Sequence, residues 1–361
     1  MSPDRVRRPT LDTVAQLVGV SRATVSNAYN RPDQLSAELR SRIIAAAKDL
    51  GYPGPDPVAR SLATRRTGSV AFMLCEGLSS AFSDPALSIM LDALASTVDS
   101  GDRALLLLPG LGDAGPRVES VIRAQTDVVV AYSLPDDAPA IAAVRERGLP
   151  LVVVDQPILP GAAVVQVDDA GGALLAARHV AELGHRRVGV LGFEMSADGW
   201  RGPTTPERIR DAHFRVTLDR LSGYRKGLAE HGIVADEVPC WEAPGSAREL
   251  GREGATWLFG LEPRPTAVLC MSDELALGAI RAAGDLGLSV PGEVSIVGFD
   301  DTPAASWSDP PLTTVRQDLV AKGRHAGELA LRMLEGDRPG RPVTIGVELL
   351  VRGSTGTAYS V

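Results

Sequence analysis

Apolar positions in the first 50 residues recur at helical spacing in three short blocks, each preceded by a hydroxyl side chain. Thr10, Ser21 and Ser36 stand where a helix needs its N-cap. The apolar residues that follow lie three or four positions apart: Leu11, Val14, Ala15 and Val18, then Val25 and Ala28, then Leu39, Ile43, Ala46, Ala47 and Leu50. The pattern predicts three small helices, with only a tight turn between the first two.

From residue 69 onward the chain carries short runs that are apolar throughout, separated by helical stretches. The runs occupy residues 69–75, 103–109, 127–133, 150–156, 187–193, 267–273 and 294–300. Continuous apolar runs are typical of strands covered on both faces, and their alternation with helices favours parallel sheets. About 290 residues is long for one sheet, so we expect an α/β domain of two lobes.

Residues 54–68 separate the two patterns and are expected to form a hinge. The prolines within residues 53–57, Pro-Gly-Pro-Asp-Pro, exclude regular structure there, whereas residues 58–63 could form one or two helical turns. We therefore predict an all-α domain over 1–53 and a two-lobed α/β domain over 69–361. The first lobe is expected at about 69–168 and 317–340, and the second at about 169–316 and 341–361.

Composition limits the classes of protein that fit. Hydrophobic residues make up 44% and charged residues 23% of the 361 positions, as in an ordinary globular chain. Neither an apolar run of membrane-spanning length nor a signal peptide is evident, so we expect a cytoplasmic protein with no membrane partner. The three cysteines are too few and too scattered to predict a disulfide framework or a zinc site. We expect no metal and no cofactor.

Charge is distributed unevenly along the chain. Residues 1–68 hold 11 Lys and Arg against 6 Asp and Glu, a net charge of +5, although the whole chain carries −8. The remaining residues therefore carry −13. A basic module on an acidic body favours a nucleic-acid partner for the module, because phosphate attraction is local.

Residues 10–30 have the layout of a helix-turn-helix, in which the second helix enters the major groove of DNA. The positions near the start of that helix are small or polar: Ser21, Arg22, Ala23, Thr24, Ser26 and Asn27. Arginine can pair with guanine, asparagine can bind adenine or phosphate, and hydroxyls suit phosphate oxygens. The spacing alone also allows a generic small helical bundle.

The chain resembles the lactose-repressor/galactose-repressor (LacI/GalR) family along nearly its whole length. The motifs that carry the resemblance are GVSRATVSNAYN (19–30), DLGY (49–52), ARSL (59–62), ELGHRR (182–187), RLSGYRKGL (220–228), SDELALGAIRAAGDLGLSVPGEVSIVGFDD (272–301) and DPPLTTVRQD (309–318). Two features depart from the family. Asn27 stands where arginine is frequent, and the link before the hinge has one extra residue.

The resemblance implies roles for individual residues of the first domain. Arg22 and Ala23 would contact bases, with Asn27 as a third candidate. Phosphate contacts are implied for Thr10, Thr24, Ser26, Asn30, Ser36 and Arg40. Leu62 would wedge into the minor groove from the hinge, where an apolar side chain separates a base step and bends the duplex. Packing of Leu62 against a lobe is the alternative.

A small-molecule site is expected at the carboxyl ends of the strands, where open α/β sheets bind ligands. Carboxylates at run ends suit hydroxyl-rich compounds such as sugars, since each oxygen accepts hydrogen bonds. With the resemblance, the candidate effector-binding residues are Glu76, Asp155, Arg220, Ser246, Ser272 and Asp300. The alternative is that these polar run ends are satisfied by neighbouring turns.

Two further segments admit more than one interpretation. Residues 194–219 form a long polar insertion in which Trp200 and Phe214 could stack on a sugar, although an ordinary surface loop fits equally well. Residues 110–115, Gly-Leu-Gly-Asp-Ala-Gly, match the glycine pattern of dinucleotide-binding enzymes. Pro116 argues against that interpretation, because it disfavours helical angles at Gly115 where the helix should begin.

These observations predict a transcription regulator rather than an enzyme. We expect a nucleoid-associated repressor that binds operator DNA as a homodimer and responds to a sugar or related metabolite held between the lobes. The residues leave open the effector, the operator and the direction of regulation. A periplasmic sugar receptor is a rival for the lobes alone, and a nucleotide-dependent enzyme is a rival for the glycine pattern.

Overall fold

The computed structural model describes residues 9–54, 66–110 and 115–358. Its contacts divide the chain into two units, residues 1–67 and residues 68–361, which are treated in turn. Most of the predicted hinge, including Leu62, lies outside the described residues.

In the described part of the first unit, residues 9–54, the chain forms the helices α1 (Leu11–Val18), α2 (Arg22–Asn30) and α3 (Ala37–Asp49), with a 3-10 turn at Pro32–Gln34. The predicted caps are confirmed. The side chains of Thr10, Ser21 and Ser36 each accept a hydrogen bond from the backbone amide three residues on. Gly19 ends α1 with a φ of 75°, a left-handed conformation that glycine adopts without strain.

The core of this unit consists of the predicted apolar faces. Its buried members are Val14, Ala15, Val25, Ala28, Ile43 and Ala47. Tyr29 and Tyr52 pack edge to face at the margin, with ring centroids 6.2 Å apart. Packing therefore brings α1 and α2 together as the helix-turn-helix that the spacing predicts.

The first sheet of the second unit contains β1 (Ser69–Leu74), β2 (Ala104–Leu108), β3 (Val128–Tyr132), β4 (Leu151–Val154), β5 (Ala163–Val167) and β12 (Val343–Ile345). Their order is β12-β5-β4-β3-β1-β2, and all neighbours are parallel. Its helices are α4 (Ser80–Ser83), α5 (Pro85–Ser100), α6 (Val118–Arg123), α7 (Pro139–Glu146) and α14 (Leu319–Leu334). Helices α5 and α14 cover one face, and α6 and α7 cover the other.

The second sheet contains β6 (Val188–Gly192), β7 (Gly202–Pro203), β8 (Cys240–Glu242), β9 (Ala267–Cys270), β10 (Ser295–Asp300), β11 (Thr313–Gln317) and β13 (Val347–Leu350). Their order is β13-β11-β10-β9-β6-β8-β7, parallel except at the two outer strands. Its helices are α8 (Asp169–Glu182), α9 (Pro206–Arg210), α10 (Arg215–Ala229), α11 (Arg248–Phe259), α12 (Asp273–Asp285) and α13 (Pro303–Trp307), with a 3-10 turn at Ala235–Glu237. Helices α8 and α10 cover one face, and α11 and α12 the other.

All seven apolar runs predicted as strands are strands, and both sheets are mainly parallel. The predicted lobe boundary at 340 is wrong in one respect. Residues 343–345 belong to the first sheet, where Val343 pairs with Val165 and Ile345 packs into the core of the first lobe. The last crossing between the lobes therefore comes after β12. Among the described residues, no helix is long and apolar enough to cross a membrane.

Glycines allow the helices on one face of each sheet to approach closely. A Cβ at Gly323 in α14 would overlap the carbonyl oxygen of Met90 in α5. A Cβ at Gly223 in α10 would likewise overlap the carbonyl oxygen of Ala170 in α8. These contacts set the distance between each helix pair, because backbone cannot move aside as a side chain end can.

We expect Gly323→Ala to destabilise the second unit by about 1–3 kcal/mol or more, since its methyl group must push two packed helices apart. Gly284→Ala is the matched control. Gly284 also lies in a helix, but its added Cβ would meet nothing within 4 Å. There alanine should be neutral or stabilise by up to about 1 kcal/mol. Thermal melts of both variants test this, and equal melting temperatures would contradict it.

Candidate functional site

The carboxyl ends of strands from both sheets meet at one cavity between the two lobes. It contains about 850 Å³ of space free of protein atoms, part of it open to solvent. Five of the six predicted residues line it: Glu76, Asp155, Arg220, Ser246 and Asp300. The topology brings them together because parallel strands end at the same edge.

Three residues at this edge have left-handed backbone angles that residues other than glycine rarely adopt. Their φ values are 49° at Ser133, 67° at Asp155 and 121° at Asp300, and all three line the cavity. Such conformations cost about 1–3 kcal/mol each and cluster at functional sites. The strain indicates that, at this cavity, the required side-chain directions outweigh the energetic cost of these backbone conformations.

Arg220 enters the cavity wall from α10 and is almost fully buried. Its Nε donates to Asp169 Oδ1 at 2.7 Å, and its Nη1 donates to the carbonyl oxygen of Met271. The guanidinium carbon lies 3.7 Å from the ring centroid of Phe299. Burial alone would lower the pKa of Arg220, but the carboxyls of Asp169 and Asp300 outweigh it and raise that pKa.

Lys322 reaches the same cavity from α14 and is 3% exposed at its side chain. Its Nζ donates to Asp155 Oδ2 at 2.9 Å. Nothing in the sequence pattern connects these two residues, which are 167 positions apart. The lysine was missed because it lies on the inner face of a helix whose crossover the sequence does not show.

Asp300 ends β10 and is held by Gln317 at the end of β11, whose Nε2 donates to Asp300 Oδ1 at 2.6 Å. Burial raises the pKa of Asp300 well above its usual value, although the nearby Arg220 acts in the opposite direction. Gln317 is also a cavity residue that the sequence analysis missed.

Asp84 is a further missed residue, and it has two tasks. Its Oδ1 caps α5 by accepting from the amides of Ala86 and Leu87, and its side chain lines the cavity. Burial raises the pKa of Asp84 to about 6, with a smaller contribution in the same direction from Glu76. The Asp-Pro pair at 84–85 is the signal that could have found it, since proline is favoured at the first position of a helix.

Ser272 does not line the cavity, contrary to the sequence analysis. It is the N-cap of α12, accepts from the amide of Leu275 at 3.2 Å and is 1% exposed. Its hydroxyl lies 2.9 Å from that of Ser246, which does line the cavity. Ser272 thus lies behind the cavity wall, because the residue that caps α12 faces the protein interior and not the cavity.

The insertion at 194–219 forms part of the cavity wall. Phe214 is 4% exposed and lines the cavity, whereas Trp200 is 44% exposed and lies under the guanidinium of Arg208. Arg208 makes two hydrogen bonds to the fully buried Glu242 and two to Asp198. These bonds fix the insertion to the second sheet, so Phe214 occupies a defined place.

The same segment contacts the first lobe. The carbonyl oxygen of His213 accepts from the amide of Asp136 at 3.3 Å. Gln156 donates to the carbonyl oxygen of Leu134 and accepts from the amide of Val216 at 2.8 Å. The insertion and the start of α10 therefore connect the lobes beside the cavity.

The start of α2 presents the predicted polar residues at the surface of the first unit. Ser21, Arg22 and Ala23 are exposed, and Thr24, Ser26 and Asn27 are half-buried. Arg22 lies 3.9 Å from Asp12, but both side chains are more than 60% exposed, so this pair holds the arginine only weakly. Arg40 donates from Nε to the carbonyl oxygen of Ala28 and so joins α3 to α2.

The glycine pattern at 110–115 does not open a helix. Residues 111–114 lie outside the described residues, but Gly110 pairs with Pro116 in an antiparallel bridge, and α6 begins only at Val118. A dinucleotide site requires the helix N-terminus at the glycines. Within the described ranges, no group of three or more His, Cys, Asp and Glu residues could hold a metal ion.

Comparison with known proteins accounts for both units. The model of the lacI family of bacterial regulatory proteins matches residues 10–54, and that of the periplasmic binding protein-like domain matches residues 177–355. An HTH-type transcriptional regulator of Mycolicibacterium smegmatis is 41% identical over 340 residues, which cover 91% of each chain. The chain belongs to the lacI family. This LacI-family protein is thus a transcriptional regulator with a DNA-binding domain and a ligand-binding domain.

Solved structures agree with this assignment. The structure of the lac repressor dimer bound to operator and the anti-inducer ONPF is one example. It aligns over 97% of the present chain and 100% of the lac repressor chain, with 26% identity and a TM-score of 0.75. The complex of the transcriptional regulator CelR with cellobiose aligns over 96% of the present chain and 100% of the CelR chain, with 27% identity and a TM-score of 0.69. The two-lobed fold with a helix-turn-helix domain is therefore that of the family.

Asp84 should make the stability of this LacI-family chain depend on pH. Its pKa in the folded chain is about 6 against an ordinary 3.8, so the folded state binds the proton more tightly than the unfolded state. The stabilisation from that proton is full below pH about 4 and is lost as the pH rises to about 6. Asp84→Asn keeps a capping oxygen without the charge. It should raise the free energy of unfolding at pH 7 by up to about 3 kcal/mol.

Denaturation of both proteins from pH 4 to pH 7 measures this difference. The gap between variant and wild type should close at the acidic end. Asp211→Asn is the control, because Asp211 is 71% exposed and lies away from the cavity wall. A gap of constant size across the range would show that the effect is not the ionisation of Asp84.

Proposed function

We propose that this chain is a repressor that binds a palindromic operator as a homodimer and is controlled by a sugar or related polyhydroxylated metabolite held between the lobes. The observation that carries the proposal is the cavity at the carboxyl edge of both sheets, in a chain whose first unit is a helix-turn-helix domain. A ligand that contacts both lobes favours one of their relative positions over others.

The DNA contacts are proposed from exposure and chemistry. Arg22 and Ala23 at the exposed start of α2 would meet base edges, with Asn27 beside them. Thr10, Ser21, Thr24, Ser26, Asn30, Ser36 and Arg40 would meet phosphates. Two copies related by a two-fold axis would each bind one half-site, as a lac repressor dimer is bound to its operator in the structure compared above.

We expect Arg22→Ala to relax base choice at one position of each half-site and to cost about 1–3 kcal/mol there, since a bidentate contact to guanine would be lost. The operator is first selected from a random duplex library with the full chain, and every half-site position is then varied. Arg42→Ala removes the same charge from an exposed residue of α3. The control should weaken binding without changing base preference. If Arg22→Ala lowers the affinity for all DNA sequences equally, Arg22 contacts a phosphate and not a base.

The effector site is proposed to use Arg220, Asp300, Asp155, Ser246 and Glu76, with Ser272 acting through Ser246. A panel of sugars is screened for thermal stabilisation of the full chain. A ligand at 100 times its dissociation constant adds about 2.7 kcal/mol of stability. The stabilising sugar should also change operator affinity. A ligand that stabilises the chain without any change in operator affinity would contradict effector control.

Asp300→Asn should abolish the response of operator affinity to that sugar, because a charge-assisted hydrogen bond in a desolvated site typically contributes about 2–5 kcal/mol. The left-handed φ of 121° is tolerated by asparagine better than by most residues, so the backbone should be retained. Asp211→Asn should respond like the wild type. An unchanged dose response in Asp300→Asn would remove Asp300 from the site.

A further inference from the structure

A second groove lies along the outer side of α10. It contains about 960 Å³ of space free of protein atoms, part of it open to solvent. Ile209 of α9 lines one side, and α10 lines the other with Leu218, Asp219, Leu221, Ser222, Arg225 and Lys226. The cavity between the lobes uses the opposite face of the same helix, with Val216, Thr217 and Arg220. The groove and the cavity therefore share no residue.

Arg225 is half-buried, yet its guanidinium makes no hydrogen bond or ion pair within residues 9–54, 66–110 and 115–358. The other half-buried arginines of these ranges each make such a contact with a protein oxygen: Arg103, Arg147, Arg178, Arg208, Arg264 and Arg352. A guanidinium that is partly withdrawn from water ordinarily finds acceptors for its five donors. Arg225 therefore has donors to offer to a group from outside the chain.

The carboxylates that could neutralise this groove are paired with other arginines. Asp219, which lines the groove, accepts from Arg215 Nε at 3.1 Å. Glu230 lies one turn after Lys226, but it accepts two hydrogen bonds from Arg178, at 2.5 and 2.8 Å. Lys226 itself makes no hydrogen bond or ion pair in the described part of the chain. The groove thus presents two positive charges without a directly paired carboxylate.

The donors of the groove are suited to a phosphate group. Ser222, Arg225 and Lys226 are three and four positions apart, so they lie on one face of α10. The planar guanidinium fork matches two oxygens of a phosphate, and the ammonium and hydroxyl groups add further donors. A phosphate monoester carries a charge of about −1.5 to −2 near pH 7, which two cations can neutralise. A carboxylate would neutralise one of them.

We propose that this groove is a second ligand site of the chain, which binds a phosphate group, either free or carried by a small molecule. Arg225 binds two phosphate oxygens, Lys226 supplies the second charge, and Ser222 donates its hydroxyl. Ile209, Leu218 and Leu221 form an apolar floor for the remainder of a phosphate monoester. The site does not depend on effector control, because it shares no residue with the cavity between the lobes.

Calorimetric titration of the full chain tests the ligand class. The probes are inorganic phosphate, glycerol 3-phosphate and adenosine monophosphate, with glycerol and adenosine as the uncharged counterparts of the two esters. At least one phosphate compound should bind, and an ester should bind at least about tenfold more tightly than its counterpart. Tightest binding of inorganic phosphate would assign the groove to the free anion, and tightest binding of an ester would assign it to a phosphorylated metabolite. If none of the three binds at about 10 mM, the proposal is wrong.

Ser222→Glu tests whether the two cations hold the phosphate. Ser222 is exposed, so the fold should tolerate the change, and the new carboxylate would lie three and four positions before the cations and pair with both. Affinity for the tightest phosphate compound should fall at least about tenfold, while the melting temperature should not fall. Ser222→Gln is the matched control, since it removes the hydroxyl without adding a charge, and it should retain most of the affinity. Equal affinities in the two variants would overturn the proposal.

Arg225→Gln tests the bidentate contact and the location of the site. It should weaken binding of the same compound at least about tenfold, because two charge-assisted hydrogen bonds are lost. Arg187→Gln removes an exposed arginine elsewhere in the second lobe and should bind like the wild type. It also controls for the change in net charge. Wild-type affinity in Arg225→Gln would place the bound phosphate on another part of the chain, such as the basic first unit, and would overturn the proposal.

Discussion

Carboxyl groups buried at the ends of the strands need partners, and much of the arrangement around the cavity follows from that need. The partners come from different elements in each case: Asp155 has Lys322, Asp169 has Arg220, Asp300 has Gln317, and Asp273 has Thr302 and Thr314. Burial raises the pKa of Asp273 to about 7 even with these hydrogen bonds. Helices and loops remote in sequence are thereby held at the edge where the strands end.

Each lobe satisfies its own charge. The pair of Asp155 and Lys322 lies within the first lobe, and the pair of Asp169 and Arg220 lies within the second. The contacts between the two lobes beside the cavity are mainly hydrogen bonds between neutral groups, such as the bond from the Val216 amide to Gln156. Such bonds contribute roughly 0.5–1.5 kcal/mol each. The lobes can therefore change their spacing without breaking either of these buried ion pairs, as the proposed control by a ligand requires.

The sequence predicts the parts of this structure that depend on local pattern. Capping hydroxyls and helical spacing locate α1, α2 and α3, and uninterrupted apolar runs locate seven strands. Short strands such as β8 and β11 were missed, because their residues do not form a long apolar run. The crossing after β12 was misplaced, since only pairing with β5 assigns Val343 to a sheet.

The cavity was predictable to the extent that its residues lie at the end of an apolar run or directly after one. Glu76, Asp155 and Asp300 do so, and all three line it. Lys322 and Gln317 come to the same place only through the tertiary crossover, which no local pattern records. Ser272 shows the converse, because a residue at the end of a run became the cap of the next helix and faces away.

The attachment of the insertion has a consequence for how ligand preference could change between relatives. Arg208 joins this segment to Glu242 at the end of β8, and β7, which lies within the insertion, pairs antiparallel with β8 at the outer edge of the second sheet. The wall that carries Phe214 is thus attached at the outer edge of the sheet and not at its parallel centre. Lengthening or exchanging the insertion would reshape one side of the cavity while the two ion pairs and the helix-turn-helix domain stayed as they are. Selectivity for a metabolite and choice of operator can therefore diverge as separate traits.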